Sequence, residues 1–155
     1  MKKLSVWLVA LVTMAMSGVA QGATLQMLGP DPNNSAMAIP PATHACTHRL
    51  DGYIENGDAE RVISQLKVDL PDDGSRLDYT NDQAVLCLNS PGGSLTDAAR
   101  IANAIVNELR YGLGTKIESG DSCLSACAII FMAGAYWIPE FIPVAWRVLE
   151  PGGTP

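Results

Sequence analysis

A chain of 155 residues, 48% of them hydrophobic and 17% charged, is long enough for one domain with a real core. Its formal net charge is −6 and it has no Lys/Arg cluster, which argues against nucleic acid or an anionic membrane surface as a partner. Four cysteines allow three disulfide connectivities, and the sequence alone leaves all of them open.

Residues 1–22 read as a secretory signal peptide. Lys2 and Lys3 form a charged start, Leu4 to Val19 is apolar, and Gly18-Val-Ala20 or Ala20-Gln-Gly22 offers small residues for cleavage. The apolar run is short for a spanning helix, so membrane contact is expected through this segment only. Its removal takes the net charge from −6 to −8. The mature chain is then periplasmic or secreted, where disulfides form. Zinc is the rival use of the cysteines. Cys123-x-x-x-Cys127 has no second close pair and His44 and His48 lie far off, so no metal or other cofactor is expected.

Residues 23–43, rich in Pro, Asn, Met and Ala, show no period and read as an extended lead-in to a domain over 44–155. Cys46 to Ile54 reads as a first strand broken at Gly52. Asn56-Gly-Asp58 is a turn, and Asp58 is placed to cap a helix over Ala59–Leu66. Pro71-Asp-Asp-Gly-Ser75 is a solvated loop. Ala84-Val-Leu-Cys-Leu88 is a continuous apolar run, as in a buried parallel strand. It flows into Asn89-Ser-Pro-Gly-Gly-Ser94, where Ser94 and Asp97 have capping-box spacing. Leu95, Ala98, Ala102, Ile105 and Leu109 then mark the apolar face of a helix, which ends at Tyr111-Gly-Leu-Gly114. Thr115 to Glu118 is a third strand. Strand and helix alternate, so the class is α/β with a parallel sheet.

Ser119 to Gly134 changes from small polar residues to an apolar run, with Ser125 between two cysteines at the changeover. That pattern fits a strand end, a tight turn and a helix with a serine at its mouth, facing unpaired N–H groups. Ser125 is therefore the candidate nucleophile. A serine hydroxyl needs a base and oxyanion donors. The Pro-Gly-Gly turn and the helix start could each provide one donor, because both leave from strand carboxyl ends. Taken singly, each is an ordinary turn; the pair is more specific.

At these residues the chain resembles the proteolytic subunit of Clp protease and its exported relatives with a Cys-x-Ser-x-Cys core. The likeness rests on Ala84 to Gly93, the amphipathic helix after it, Gly120 to Ala128 running on to Ala133-Gly134, and Leu50 to Ile54 as a first strand. It implies a ClpP/crotonase spiral of strand–strand–helix turns and a serine peptidase acting on a peptide or protein; because an exported chain does not meet ATP, action without ATP is expected. By position Ser125 is the nucleophile, and the N–H groups of Gly92 and Ala126 form the oxyanion hole. The family's histidine and aspartate have no counterpart after Gly134. Arg147 to Gly153 looks like the approach to the histidine strand, so the site is expected to lack its base and the fold to be incomplete at the C-terminus. A peptide-binding or degenerate module without catalysis is the alternative. His48 reads as an ordinary strand residue and Lys116 as a solvated strand lysine. Cys123 and Cys127, at i−2 and i+2 of Ser125, are near enough to bridge, and Cys46 with Cys87 is the other pair open to bridging; the alternative for all four is burial as small apolar residues. Apolar surface uncovered on the nucleophile helix is expected to promote self-association.

Overall fold

The computed structural model describes residues 22–28, 45–70, 84–109, 112–138 and 142–155. The expected signal segment up to residue 21, His44, residues 29–43 of the expected lead-in and the expected loop at 71–75 lie outside the described residues.

The apolar run forms β3 (Val85–Asn89), buried over its first four residues. It lies between β2 (His48–Asp51) and β4 (Gly112–Ile117) and is parallel to both. In chain order α1 (Asp58–Asp69) falls between β2 and β3, α2 (Leu95–Asn107) between β3 and β4, and α3 (Ala126–Met132) after β4. Each strand neighbours its predecessor and such crossovers share one hand, so the helices gather on one face of the sheet. There Leu50, Leu86, Leu88, Leu113 and Ile117 of the strands meet Val62, Leu66, Ile101, Ile105 and Ile130 of the helices in a single core. The opposite face carries Cys87, Val85 and Trp146 and a group of charges around Arg49.

The α/β class therefore holds, but the sheet is mixed. β1 (Thr24–Met27) runs antiparallel on the free edge of β2. β5 (Ala135–Ile138) and β6 (Ile142–Ala145) form an antiparallel pair at the start of β4, and β7 (Arg147–Leu149) runs parallel to its end. β1 lies within the stretch read as an extended lead-in over residues 23–43, and there it is paired. Its four residues are too few for their polar–apolar alternation to mark a strand alone, and their partner specifies them: the ladder runs from Thr24↔Asp51 to Met27↔His48. The Ala23 N–H also donates to Asp58 Oδ2 at 2.8 Å.

Two helix ends differ from expectation. Asp58 is not the cap of α1 but its first residue, behind Gly57 at φ 95°. Its carboxylate is taken by Ala23 and by the Glu55 N–H at 2.9 Å. The start of α1 is satisfied instead from α2: Asp97 Oδ1 accepts the N–H groups of Gly57 and Ala59, each at 3.0 Å. Asp97 Oδ2 accepts the Ser94 hydroxyl at 2.7 Å, and Ser94 Oγ accepts the Asp97 N–H at 3.3 Å. The predicted capping spacing thus serves two helices. The Ser94 hydroxyl, then the Ala59 and Gly57 amides, hold the Asp97 carboxyl below its ordinary value despite burial. At the other end of α2, Gly112 already belongs to β4, and the Gly114 N–H donates to the Ala84 carbonyl at 3.0 Å. Of the predicted apolar face, Ala98, Ala102, Ile105 and Leu109 are buried, but Leu95 in the first turn is exposed.

Candidate functional site

Beyond β3 and β4 the two chains stay side by side. The Ser90 N–H donates to the Ser122 carbonyl at 2.6 Å, and the Leu124 N–H donates to the Ser90 carbonyl at 2.9 Å. Residues 150–154 lie along the other side of this loop, where the Cys123 N–H donates to the Thr154 carbonyl at 2.8 Å and the Thr154 N–H to the Asp121 carbonyl at 3.0 Å. The loop that ends in Ser125 is thus held like a central strand.

At Ser125 the chain reverses into α3 with φ 53° and ψ −120°. Among the described residues no other non-glycine has a positive φ. A residue with a Cβ pays about 1–3 kcal/mol in such a region and stays there only when its surroundings demand it. A sharp strand-to-helix turn of this kind lifts a serine hydroxyl clear of the backbone. Ser125 is exposed, and its hydroxyl does not cap α3.

The Pro-Gly-Gly turn faces this serine. A Cβ built on Gly92 would stand 2.8 Å from Ser125 Cβ and 3.2 Å from the Ala126 nitrogen. One on Gly93 would stand 2.1 Å from the Ile54 carbonyl oxygen, because the Ile54 N–H donates to the Gly92 carbonyl and the Ser94 N–H to the Ile54 carbonyl on that side. Both positions need glycine for close approach as well as for positive φ. Of the two amides the sequence singles out, that of Ala126 meets no acceptor among the described residues. That of Gly92 is already engaged: it donates to the buried Ser90 Oγ at 3.1 Å. The Gly93 N–H meets no acceptor among the described residues and is a donor that sequence reasoning missed. The glycine doublet was the available signal, but it does not say which amide is engaged.

No described side chain is hydrogen-bonded to the Ser125 hydroxyl. His48 is buried at the start of β2, opposite Leu86. Ser90 lies four residues further along β3, roughly 13 Å at ~3.3 Å per residue. The His48 ring bonds Thr47 Oγ1 at 2.9 Å and faces Asp69 at 3.6 Å. Burial pushes its pKa down, against the pull of Asp69. Lys116 is not solvated as expected. It is buried, opposite Cys87, with Glu150 at 2.7 Å and Glu118 at 3.7 Å from its ammonium. Two carboxylates compensate the burial, and the ammonium pins the tail: Glu150 also accepts the Ser119 N–H at 3.1 Å. Arg49 anchors the same loop from the other side, through Asp121 and Asp51 at 2.8 Å and Glu118 at 3.1 Å. Asp121 first, then Asp51, holds the guanidinium above its ordinary range.

Both cysteine pairs are disulfides. Cys46–Cys87 joins the bend before β2 to β3, and Cys123–Cys127 spans Ser125 with Cα atoms 5.0 Å apart. Two bridges are compatible with an oxidising compartment. Cys46, Cys87 and Glu118 have donor atoms within 4.8 Å of one another, but both sulfurs are committed to the bridge and not available as thiolates. Among the described residues no helix is long and apolar enough to cross a membrane. Searched against protein-family models and curated proteins, the chain matches none.

Proposed function

We propose that this chain is an exported serine hydrolase of the Clp-protease-like type, with Ser125 as the nucleophile and a peptide or protein as substrate. The observation that carries the reading is the backbone of Ser125, strained at φ 53° on a strand-to-helix turn and set against Gly92. The repeated strand–helix order with helices on one face supports the ClpP/crotonase likeness. In the reaction the Ser125 oxygen attacks an acyl carbonyl while its proton passes to a base. The oxyanion is met by the Ala126 N–H at the start of α3 and by an N–H of the Pro-Gly-Gly turn. Gly93 is the unengaged donor there; Gly92 serves only if Ser90 releases it. The base comes from outside the described residues. Ser122 and Thr154 pair in parallel, which sets residues 150–154 beside the loop that leads to Ser125. Neither cofactor nor ATP is needed, nucleic acid is not a partner, and self-association accompanies the exposed apolar surface near the site.

A fluorophosphonate probe tests this. The 155-residue chain labels weakly or not at all, a version extended by a histidine-bearing strand labels, and Ser125→Ala abolishes the labelling. Strong labelling of the 155-residue chain would sink the missing-base idea. Failure of the extended version leaves the second reading, a peptide-binding module without catalysis. That reading draws on the lack of a base among the described residues and on the engagement of the Gly92 amide.

A further inference from the structure

We infer that the Cys123–Cys127 disulfide positions the Ser125 backbone, so that the site is assembled only while this bridge is oxidised. The inference rests on Ser125 being the nucleophile for its consequence in activity, but not for its structural content.

A strained residue persists only where its surroundings over-determine it. The surroundings of Ser125 are the Gly92 turn, the paired strand end before it and the buried start of α3 after it. Its side chain does not cap the helix that follows, and that helix, α3, has only seven residues. Local backbone contacts are the Cys127 N–H to the Leu124 carbonyl and the Ala128 N–H to the Ser125 carbonyl, both at 3.0 Å. These fix the first turn of α3, and Ala126, Cys127 and Ile130 seat the helix in the core. The disulfide adds the covalent tie between the strand end and that first turn. Cys123 is held on both sides, pairing with Ser90 and donating to the Thr154 carbonyl. Cys127 lies in the first turn of α3, and both cysteines are fully buried. The bond closes a ring of Cys123, Leu124, Ser125, Ala126 and Cys127 with the strained residue at its centre. Within that ring the chain must pass from strand to helix across one residue, and the positive φ sits there.

A bridge of sequence separation 4 removes little freedom from the unfolded chain, because that effect grows with loop length. Its weight therefore falls on local shape. With the bridge open, the helix stays seated by Ile130 in the core, but the turn from Cys123 to Cys127 is free to relax. Ser125 then relaxes to a negative φ, and the Ala126 N–H turns away from Gly92. Because both cysteines are buried, opening needs local exposure of a sulfur; a dithiol then supplies two electrons and two protons, its own sulfurs join, and the Cys123–Cys127 bond becomes two thiols.

The test compares the full 155-residue chain with Cys123→Ala/Cys127→Ala and with Cys46→Ala/Cys87→Ala as a control. NMR couplings that report the sign of φ at Ser125 are the primary readout, since a purely global role would not move them selectively. The expected result is a positive φ in the wild type and the control, lost in Cys123→Ala/Cys127→Ala while the rest of the spectrum keeps its folded dispersion. Retention of the positive φ without the bridge overturns the proposal. So does unfolding of both Cys123→Ala/Cys127→Ala and the space-filling Cys123→Val/Cys127→Ala, which would give the bridge a global role. In the histidine-extended chain, opening the bridge lowers the fluorophosphonate labelling rate at least tenfold. Equal rates overturn this proposal alone. Absence of labelling in every form removes the nucleophile reading, and the φ measurement still decides the role of the bridge.

Discussion

Gly92 stands where the two turns meet, and substitution there measures how close they are. A methyl group at this position would lie 2.6 Å from the Leu124 oxygen and 2.8 Å from Ser125 Cβ, on a backbone at φ 98°. Gly57 has a similar φ of 95° but nothing within 4 Å of its built Cβ. Gly57→Ala should therefore cost only the backbone term, about 1–2 kcal/mol. Gly92→Ala should cost more, by about 1–3 kcal/mol for overpacking, and in the histidine-extended chain should abolish labelling at Ser125. Urea unfolding checks this; equal costs would mean that the turns do not touch. At this scale much was legible in the sequence. A serine between cysteines, where small polar residues yield to apolar ones, marks a turn into a helix. A glycine doublet after an apolar strand marks a close approach. The strain was not legible, because a serine carries no sign of its own φ. Nor was the engagement of the Gly92 amide, which depends on where the Ser90 hydroxyl points.

The helices are tied together at one carboxylate. Asp97 starts α2 and also satisfies the first N–H groups of α1. Its carboxyl is held below its ordinary value of 3.8, so as acid is added the unfolded chain takes up the proton first. The stabilisation is whole above that value and is lost as pH falls through the lower, folded value. Asp97→Asn should cost about 1 kcal/mol at neutral pH, as for a lost cap, and should flatten the decline below pH 3.8. Urea midpoints at neutral pH and at acid pH for both proteins check this; parallel declines would rule Asp97 out. His48 adds an earlier loss common to both. Burial lowers its pKa from 6.5, so the unfolded state protonates first and stability falls as pH drops through that value. The strands and helices with a period or a continuous apolar run, β3 and α2 above all, could be read directly. β1 could not, because its pairing with β2 lies outside its own four residues. Asp58 was misassigned because a carboxylate at a helix start can turn toward any nearby amide, and Ala23 arrives from a distant part of the chain.

Across the whole molecule the two disulfides divide the work by loop length. Cys46–Cys87 closes a sequence separation of 41 and crosses from the approach to β2 into the middle of β3. Cys123–Cys127 closes a separation of 4. In the chain-entropy account the longer loop contributes about 4 kcal/mol of stability and the shorter about 2. The longer bridge also lies on the face of the sheet away from the helices, where among the described residues Val85, Trp146 and Val148 join its sulfurs in an apolar cluster. The bridge adds to the other ties between the two segments, the Thr47 hydroxyl on Val85 and the Asn89 amide on Asp51. Cys46→Ala/Cys87→Ala should therefore lower the unfolding free energy by about 4 kcal/mol, with the sign of φ at Ser125 unchanged. Cys123→Ala/Cys127→Ala should lower it by about half as much and change that sign. Unfolding curves measured beside the NMR couplings separate the two effects. A larger global loss from the short bridge than from the long one would reverse the assignment, making the ring around Ser125 a support for the fold and not for the site.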